Sequence, residues 1–309
     1  MKAVRIHRYG GPETLVLEDV PKPEPGPGDL LVRVYAAAVN PVDWKIREGH
    51  LKMLLRHKLP LTLGWDFSGV VERVGSAVGA FKPGDEVYGR PDISRDGTYA
   101  EYIVVSADEA ALKPRTVDHI HAAAVPLAGY TAWQALFDIA GLGAGQRVLV
   151  HAAGGGVGHF AVQLAKWKGA HVIGTASGGN LEFARSLGAD QVVDYTRERF
   201  EETVEPVDVV LDTMAGDVQR RSWRVLKRGG TLVSILDPLA RFKGLLRCKR
   251  GRFLFIRPNA RRLAQMADLI DQGGLRSIVE TILPLSEARQ AHALSQGGHV
   301  RGKIVFRVR

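Results

Sequence analysis

The segment 147–168 carries the residues whose types and spacing predict the clearest chemistry. The apolar run Val148–Val150 is typical of a buried parallel strand, and a glycine-rich turn and a helical pattern follow it. The turn is spaced like a dinucleotide-binding fingerprint and contains, in order, Ala153, Gly155, Gly156, Val157 and Gly158. Gly155 lets the backbone approach a pyrophosphate, and Gly158 lets the helix pack close to the strand. We therefore predict a dinucleotide site, although Ala153 replaces the usual first glycine and a turn without a ligand stays an alternative.

The next predicted strand, 170–177, ends about 20 residues after the glycines, where an NAD-binding protein places an acid on the ribose 2′-hydroxyl. This chain has Thr175, Ala176 and Ser177 there and no carboxylate. A hydroxyl can donate a hydrogen bond to a 2′-phosphate, whereas a carboxylate would repel it. Thr175 and Ser177 therefore favour NADPH over NADH, and a simple turn role is the alternative for Ser177.

Other candidate residues come from later strands and from the aromatic residues. Met214 and Leu236 each lie at or just after the end of a predicted strand. Ligands of parallel sheets bind outside the carboxyl ends of the strands, so we expect both residues beside the ribose and nicotinamide of the cofactor. Trp44 and Trp65 form either an aromatic wall for a flat acceptor or part of the core.

The composition is that of a globular protein large enough for two domains, with 309 residues of which 45% are hydrophobic. No apolar run approaches the roughly 20 residues that a membrane helix needs, and the N-terminus begins with a strand pattern rather than a secretory signal. The one cysteine, Cys248, excludes an internal disulfide and a cysteine-rich zinc site. We therefore expect a cytoplasmic protein that does not enter a membrane.

The formal net charge is +9, and basic residues are densest in the segment 241–252. Such a run could bind RNA or an acidic membrane surface, or it could form a solvated loop. No nucleic-acid motif accompanies it, and a basic surface would also attract a polyanionic cofactor. We expect a solvated loop and no nucleic-acid partner.

The pattern of predicted elements changes near residue 118. Before it, strand patterns alternate with proline and glycine turns; after it, strands alternate with helices, including one at 121–139. The last strand of this series is predicted at 253–257, and the tail returns to strands around a short helix. Alternation of this kind is typical of a doubly wound parallel sheet, so the fold class is α/β.

A series of short motifs in a fixed order shows which family the chain resembles. The motifs are Gly10–Leu15 (GGPETL), Ala38–Lys45 (AVNPVDWK), Gly64–Val71 (GWDFSGVV), Gly84–Gly89 (GDEVYG), Gly97–Tyr102 (GTYAEY), Gly129–Trp133 (GYTAW), Leu187–Asp190 (LGAD) and Arg301–Val305 (RGKIV). Each is weak alone, but their ordered co-occurrence over nearly the full chain is specific. The chain resembles the zinc-independent, zeta-crystallin-like quinone oxidoreductase branch of the medium-chain dehydrogenase/reductase superfamily.

The resemblance implies one domain that is assembled from two separate parts of the chain. A GroES-like β-barrel for catalysis and substrate binding is expected at residues 1–117 and 268–309, with a Rossmann domain for NADP(H) inserted at 118–267. In this family the active site lies in the cleft between the two domains. Members are commonly homodimers that pair Rossmann edge strands, which implies a homodimer through the strand 253–257.

The chain departs from its zinc-dependent relatives at the positions of their metal ligands. Those relatives have a cysteine near the position of Val39 and a His-Glu pair where this chain has Trp65 and Asp66. A catalytic zinc needs about three protein ligands, so no metal site is expected. Without a Lewis acid to polarise an alcohol, we expect reduction of an already activated acceptor.

The resemblance also implies roles for single residues. Asn40 lies beside the nicotinamide in this family, and a turn role is its alternative. Thr131 resembles the contact to the carboxamide or ribose, and the neighbouring Tyr130 is a candidate proton donor, with solvent as the alternative donor. Arg301 and Lys303 resemble the C-terminal contact to the cofactor, or form the turn before the last strand.

One departure concerns the 2′-phosphate pocket, in which Tyr195 is implied to lie with Ser177. Many relatives carry a lysine a few residues past the serine, whereas this chain continues to Asn180 without a charge. Asn180 can donate a hydrogen bond only. Arg185 and Arg197 are candidate substitutes for the missing lysine.

We therefore expect an NADPH-dependent reductase of quinones or of α,β-unsaturated carbonyl compounds such as enones and enals. Hydride transfer to such an acceptor leaves an enolate or hydroquinone anion, which needs a hydrogen-bond donor or a proton source. The alternative is an NADPH-binding sensor or RNA-binding protein with little turnover, supported by the segment 241–252. An enoyl-thioester reductase is a third interpretation, which the shortness of the chain disfavours.

Overall fold

The computed structural model describes all 309 residues. The strands are β1 Lys2–Ile6, β2 Leu15–Asp19, β3 Asp29–Val39, β4 Leu61–Thr62, β5 Phe67–Val74, β6 Glu86–Gly89, β7 Tyr102–Ser106, β8 Ala110–Leu112, β9 Arg147–Val150, β10 His171–Ala176, β11 Gln191–Asp194, β12 Val207–Asp212, β13 Leu226–Ser234, β14 Arg250–Phe253, β15 Val279–Pro284 and β16 Lys303–Arg307. The α-helices are α1 Pro41–Arg47, α2 His119–Ala123, α3 Pro126–Trp133, α4 Gly158–Trp167, α5 Leu181–Ser186, α6 Phe200–Thr203, α7 Gly216–Val225, α8 Ala240–Leu245, α9 Ala260–Asp271 and α10 Ala288–Gly297. None of these helices is long and apolar enough to cross a membrane.

The chain divides into two compact units, one of Met1–Leu127 with Arg257–Arg309 and one of Ala128–Ile256. These boundaries differ from the expected ones, 117 and 268, because α2 and α9 both belong to the first unit. Helix α2 packs on β3 and β5, and α9 packs on β8. The hydroxyl of Tyr88 also donates to the carbonyl of Leu263 in α9, at 2.6 Å.

The second unit contains a six-stranded parallel sheet in the order β11-β10-β9-β12-β13-β14. The side chains of Val148, Leu149 and Val150 in β9 are fully buried, as expected for a strand with helices on both faces. The strand order reverses direction between β9 and β12. The predicted doubly wound sheet of an α/β fold is therefore confirmed.

Two predicted elements differ from the observed ones. The predicted helix 121–139 is instead α2, then α3 after a break, then a π-helical segment, Gln134–Ile139. The last strand, predicted at 253–257, both begins and ends earlier, because β14 pairs with β13 through the charged run Arg250–Phe253. That run lacks the apolar pattern of a central strand, but a charged edge strand is common in proteins.

The arginines of the basic segment 241–252 are exposed to solvent, as expected, but the segment is not a loop, because it forms most of α8 and of β14. Helix α8 crosses Gly251 closely: a Cβ there would lie 1.7 Å from the carbonyl oxygen of Ala240. Both lysines of the segment have partners within the second unit. Lys243 pairs with Asp237 at 2.8 Å, and Lys249 donates to the carbonyl of Trp223.

The first unit contains two sheets, β2-β1-β4 and a seven-stranded sheet in the order β15-β16-β3-β5-β6-β8, with β7 also on β3. Strand β16 lies between β15 and β3, and its residues 304–307 pair with residues 36–39. A hydrophobic core of buried side chains from both parts of the chain, including Phe67 and Phe306, fills this unit. The close packing of β16 on β3 positions the site described next.

Candidate active site

The fingerprint residues lie in the second unit, between β9 and α4. The N–H of Gly155 donates to the carbonyl of Ala152 at 2.9 Å and closes the turn. A Cβ on Gly158 would lie 2.0 Å from that same carbonyl oxygen, so only glycine fits where α4 begins. The first N–H groups of a helix have no partner within it, so the main chain at Gly156 and Val157 presents donors of the kind that a pyrophosphate accepts. These residues fit a dinucleotide cofactor.

Ala153 occupies the position of the first glycine and is accommodated by the neighbouring strand. Its side chain is fully buried, and its N–H donates to the carbonyl of Thr175 at 3.0 Å. A Cβ on Gly174 would lie only 2.8 Å from the Cβ of Ala153. The extra methyl group therefore fits because Gly174 in β10 has no side chain.

The hydroxyl of Thr175 faces His151 and is nearly inaccessible to solvent. It lies 3.1 Å from His151 Nδ1, while His151 Nε2 lies 2.7 Å from the hydroxyl of Ser222. Since that hydroxyl donates to the carbonyl of Val218, it accepts from Nε2, and Nδ1 accepts from Thr175. The Thr175 hydroxyl therefore donates to His151 rather than to a 2′-phosphate, which corrects the prediction for this side chain.

Burial lowers the pKa of His151 to about 4, and burial lowers the pKa of His292 in the first unit to about 3. An unfolded chain protonates both rings near their usual pKa of about 6.5, so below that pH the unfolded state binds protons that the folded state does not. We expect the free energy of unfolding to fall by up to about 1.4 kcal/mol per pH unit and per histidine between pH 6.5 and 4.

Urea unfolding at pH 7 and pH 5 measures this effect. His151→Gln should reduce the pH dependence, whereas the control His299→Gln, at an exposed position, should keep it. Equal pH dependence in His151→Gln and the unchanged protein would contradict the assignment.

Polar side chains hold the turns that follow β12 and β13. Asp212 Oδ1 accepts from the N–H groups of Met214 at 3.1 Å and Ala215 at 2.8 Å, and the hydroxyl of Ser234 accepts from the N–H of Leu236 at 3.2 Å. Met214 and Leu236 expose 50% and 38% of their surface. Both turns lie at the carboxyl edge of the sheet, as does the fingerprint turn, because the strands are parallel.

Two candidate residues of the second unit lie in α3. The side chains of Tyr130 and Thr131 are both buried. Their implied contacts to the nicotinamide stay predictions.

In the first unit, Asn40 belongs to a buried polar cluster that joins three distant parts of the chain. Its Nδ2 donates to Asp66 Oδ2 at 2.8 Å, and its Oδ1 accepts from Lys303 Nζ, which also lies 3.4 Å from Asp66 Oδ2. All three residues are at most 3% exposed. The N–H of Leu127 donates to the other carboxylate oxygen of Asp66, at 2.7 Å. The cluster fixes the orientation of the Asn40 amide, with its nitrogen toward Asp66 and its oxygen toward Lys303.

Burial and charge act in opposite directions on this cluster. Burial raises the pKa of Asp66 and lowers the pKa of Lys303, because it disfavours both charged forms. The attraction between the two groups opposes both shifts. The pair therefore depends on each partner to remain charged in the interior.

Asp43 connects the same cluster to Tyr99. Its Oδ2 accepts from the N–H of Asn40 at 2.8 Å, which caps α1, and from the hydroxyl of Tyr99 at 2.6 Å. Burial raises the pKa of Asp43 to about 7. The side chain of Asn40 is thus held by Asp66 and Lys303, and its main chain is held by Asp43.

The two tryptophans are in different environments. Trp65 is fully buried in the hydrophobic core, so the core interpretation holds for it and an aromatic wall does not. Trp44 is half-buried in α1, with its ring 6.0 Å from that of His50 and Lys45 Nζ 5.5 Å from the ring centre.

Arg301 is exposed in the turn before β16, and its N–H donates to Glu280 at 3.0 Å.

Sequence reasoning did not include Asp66 or Tyr99 in the site. Asp66 was considered only as a lost zinc ligand, and Tyr99 only as part of a motif. A signal was present for Asp66, since an aspartate in the apolar stretch GWDFSGVV requires a buried partner.

The structure places no group of three or more His, Cys, Asp or Glu side chains where they could hold a metal ion.

Comparison with known protein families matches both units. The alcohol dehydrogenase GroES-like domain matches residues 26–115, and the zinc-binding dehydrogenase family matches residues 187–306. The mouse NAD(P)H oxidoreductase RTN4IP1, mitochondrial, is 34% identical over 91% of this chain and 82% of its own length. The tomato (Solanum lycopersicum) 2-methylene-furan-3-one reductase is 36% identical over 99% of this chain and 79% of its own length.

Solved structures agree with this assignment. The quinone oxidoreductase from Coxiella burnetii has a TM-score of 0.94 and 40% identity, and covers 100% of this chain and 99% of its own. The Escherichia coli quinone oxidoreductase complexed with NADPH has a TM-score of 0.89 and 27% identity, over 99% of both chains. The expected GroES-like and Rossmann architecture is thereby confirmed. The chain belongs to the quinone oxidoreductase branch of the medium-chain dehydrogenase/reductase superfamily.

Proposed function

We propose that this protein transfers hydride from NADPH to a quinone or to an α,β-unsaturated carbonyl compound. The observation that carries the proposal is the close approach of Gly158 to the carbonyl oxygen of Ala152, which no side chain would allow and which brings the start of α4 against the end of β9, as a dinucleotide-binding turn requires. Relatives named as quinone oxidoreductases and as a reductase of a methylene-furanone, in which a carbon–carbon double bond is conjugated to a carbonyl, support the two acceptor classes.

When bound, NADPH supplies the hydride, and the chain supplies orientation and hydrogen bonds. The turn from Ala153 to Gly158 would hold the pyrophosphate, and the turns at Met214 and Leu236 would hold the ribose and nicotinamide. Asn40 would donate its second amide N–H to an oxygen of the acceptor or of the nicotinamide carboxamide, since its first N–H is bonded to Asp66. Thr131 and Lys303 complete the proposed set, with Trp44 beside the acceptor.

We propose further that the reaction needs no zinc. Trp65 has only an N–H donor, which cannot bind a metal, and Asp66 is bonded to Asn40 and Lys303. The position of Val39 carries no ligand atom. An activated acceptor needs no Lewis acid, because the developing oxyanion can be stabilised by hydrogen bonds.

The test follows NADPH absorbance with a panel of 1,4-quinones and enals, with and without a metal chelator. Turnover that the chelator does not reduce supports the proposal and identifies the acceptor class. Loss of turnover with chelator, restored by zinc, would overturn the zinc-independent mechanism. Tight NADPH binding without turnover on any acceptor would favour a binding protein instead.

We also propose a homodimer that pairs the edge strands β14. Beside β14, α8 and the residues that directly precede and follow it expose large apolar side chains, each more than half accessible: Leu239, Phe242, Leu245 and Leu246. A second copy would cover this surface, which is unusual for a monomer. Light scattering at micromolar concentration tests the dimer, and a monomeric mass contradicts it.

The cytoplasm is the compartment that we propose, supported by the single exposed cysteine, Cys248, in a chain of this size. The mouse relative is named as mitochondrial, so the compartment is tested separately. Cell fractionation that places the protein in an organelle or membrane fraction would overturn the proposal.

A further inference from the structure

The loop that follows β10 lies beside a carboxylate from the neighbouring strand. Asp194 ends β11 and is the register partner of Ala176, the last residue of β10. A Cβ on Gly178 would lie 3.1 Å from Asp194 Oδ2, so this oxygen faces the loop. No acid is present at the end of β10 itself, but the neighbouring strand brings one to the same place.

This carboxylate is charged at neutral pH. Its Oδ1 accepts from the hydroxyl of Thr196 at 2.6 Å and from the Thr196 N–H at 3.0 Å. The hydrogen bonds from Thr196 lower the pKa of Asp194, because they stabilise its charged form. A negative charge at this loop would repel a phosphate bound there.

The loop also provides a hydroxyl donor. The Nδ2 of Asn180 donates to the hydroxyl oxygen of Ser177 at 3.1 Å. Since this oxygen acts as acceptor there, the hydroxyl hydrogen of Ser177 can donate to a ligand.

Arg197, in the turn after β11, is the cation that accompanies this carboxylate. Its Nε lies 3.8 Å from Asp194 Oδ2, and its side chain is 85% exposed, so it can turn toward a ligand. Arg185, the other candidate, pairs with Glu182 on α5. A guanidinium binds phosphate through two parallel hydrogen bonds, which a lysine cannot do.

We propose that Arg197, with the hydroxyl of Ser177, binds the 2′-phosphate of NADPH, and that Asp194 opposes this attraction and limits the selectivity for NADPH over NADH. The inference rests on the proposed use of a nicotinamide dinucleotide. In this proposal Arg197, from the turn after β11, takes the role that a lysine has in many relatives. The proposal also assigns opposite effects to Asp194 and Arg197, two side chains at the end of β11.

The test is calorimetric titration with 2′,5′-ADP, which carries the 2′-phosphate, and with 5′-AMP, which lacks it. Arg197→Gln should weaken the binding of 2′,5′-ADP about tenfold, which is the effect of one exposed charged contact. The affinity for 5′-AMP should not change. Asp194→Asn should strengthen the binding of 2′,5′-ADP about threefold, because it removes the repulsion between the carboxylate and the 2′-phosphate. The amide oxygen of the new side chain still accepts from Thr196. Arg185→Gln is the matched control, with no selective loss expected.

The outcomes separate the inference from the proposed function. Equal effects of Arg197→Gln on the two ligands, or a selective loss in Arg185→Gln instead, would overturn the inference while leaving NADPH use intact. Wild-type protein that binds 5′-AMP and 2′,5′-ADP equally would overturn it and leave a dinucleotide function. Wild-type protein that binds neither ligand would overturn both. Thermal melting of Asp194→Asn checks that its fold is retained.

Discussion

Replacing Lys303 with methionine is expected to lower the free energy of unfolding by about 3–5 kcal/mol. The Lys303 side chain is 3% exposed and its ammonium group contacts both Asn40 and Asp66, so its removal leaves the Asp66 carboxylate buried without its cation. Urea unfolding measures the loss. The loss should be larger at pH 8 than at pH 5, because Asp66, whose pKa is raised by burial, can take up a proton at the lower pH.

Two comparisons isolate the cause. Lys227 forms a similar pair with Asp208 at 2.9 Å on the surface, so Lys227→Met should cost less than about 1 kcal/mol. Adding Asp66→Asn to Lys303→Met removes the uncompensated charge and should recover most of the loss. If Lys303→Met costs no more than Lys227→Met, the buried cluster does not hold a charged pair.

Replacing Gly158 with alanine is expected to weaken NADPH binding by about a hundredfold or more. The new methyl group would lie 2.0 Å from the carbonyl oxygen of Ala152, which is main chain and cannot rotate away. The turn must therefore move, and the N–H groups at the start of α4 move with it. Titration monitored by NADPH fluorescence gives the change in Kd.

Gly143→Ala is a suitable control in the same unit. The nearest atom to a Cβ there is Gln146 Oε1 at 3.8 Å, so there is room for the methyl group. NADPH affinity should stay within about twofold of the unchanged protein. Binding by Gly158→Ala that is equally unchanged would show that the fingerprint turn does not hold the cofactor.

The periodicity of the second unit predicted its parallel sheet because both faces of the central strands are buried, which produces short apolar runs between helical patterns. The same reasoning misplaced β14, since Arg250 and Arg252 alternate with Gly251 and no apolar run marks the strand. The prediction of one long helix at 121–139 was also wrong. Its apolar content is continuous, so periodicity could not show the break between α2 and α3.

The candidate site was predictable where a motif acts locally and not where distant residues meet. Gly158 and Ala152 are only six residues apart, so the spacing of the motif alone indicated their contact. The bond from Lys303 to Asn40 spans 263 residues, and nothing in the local pattern of either residue indicates the other. The hydroxyl of Thr175 was assigned to a phosphate for a similar reason, because its partner His151 directly follows another strand, β9.

The position of β16 has a consequence for the order in which the newly made protein folds. Residues 128–256 leave the ribosome as one continuous segment and can fold at once, whereas residues 1–127 must wait for residues 257–309. During that interval β3 has an open edge, to which chaperones or other nascent chains can bind. Protease treatment of ribosome-stalled chains that stop before residue 303 should cleave residues 1–127 and spare 128–256. The first unit, which contains Asn40, would thus complete its fold only after the second unit has been synthesised and has folded.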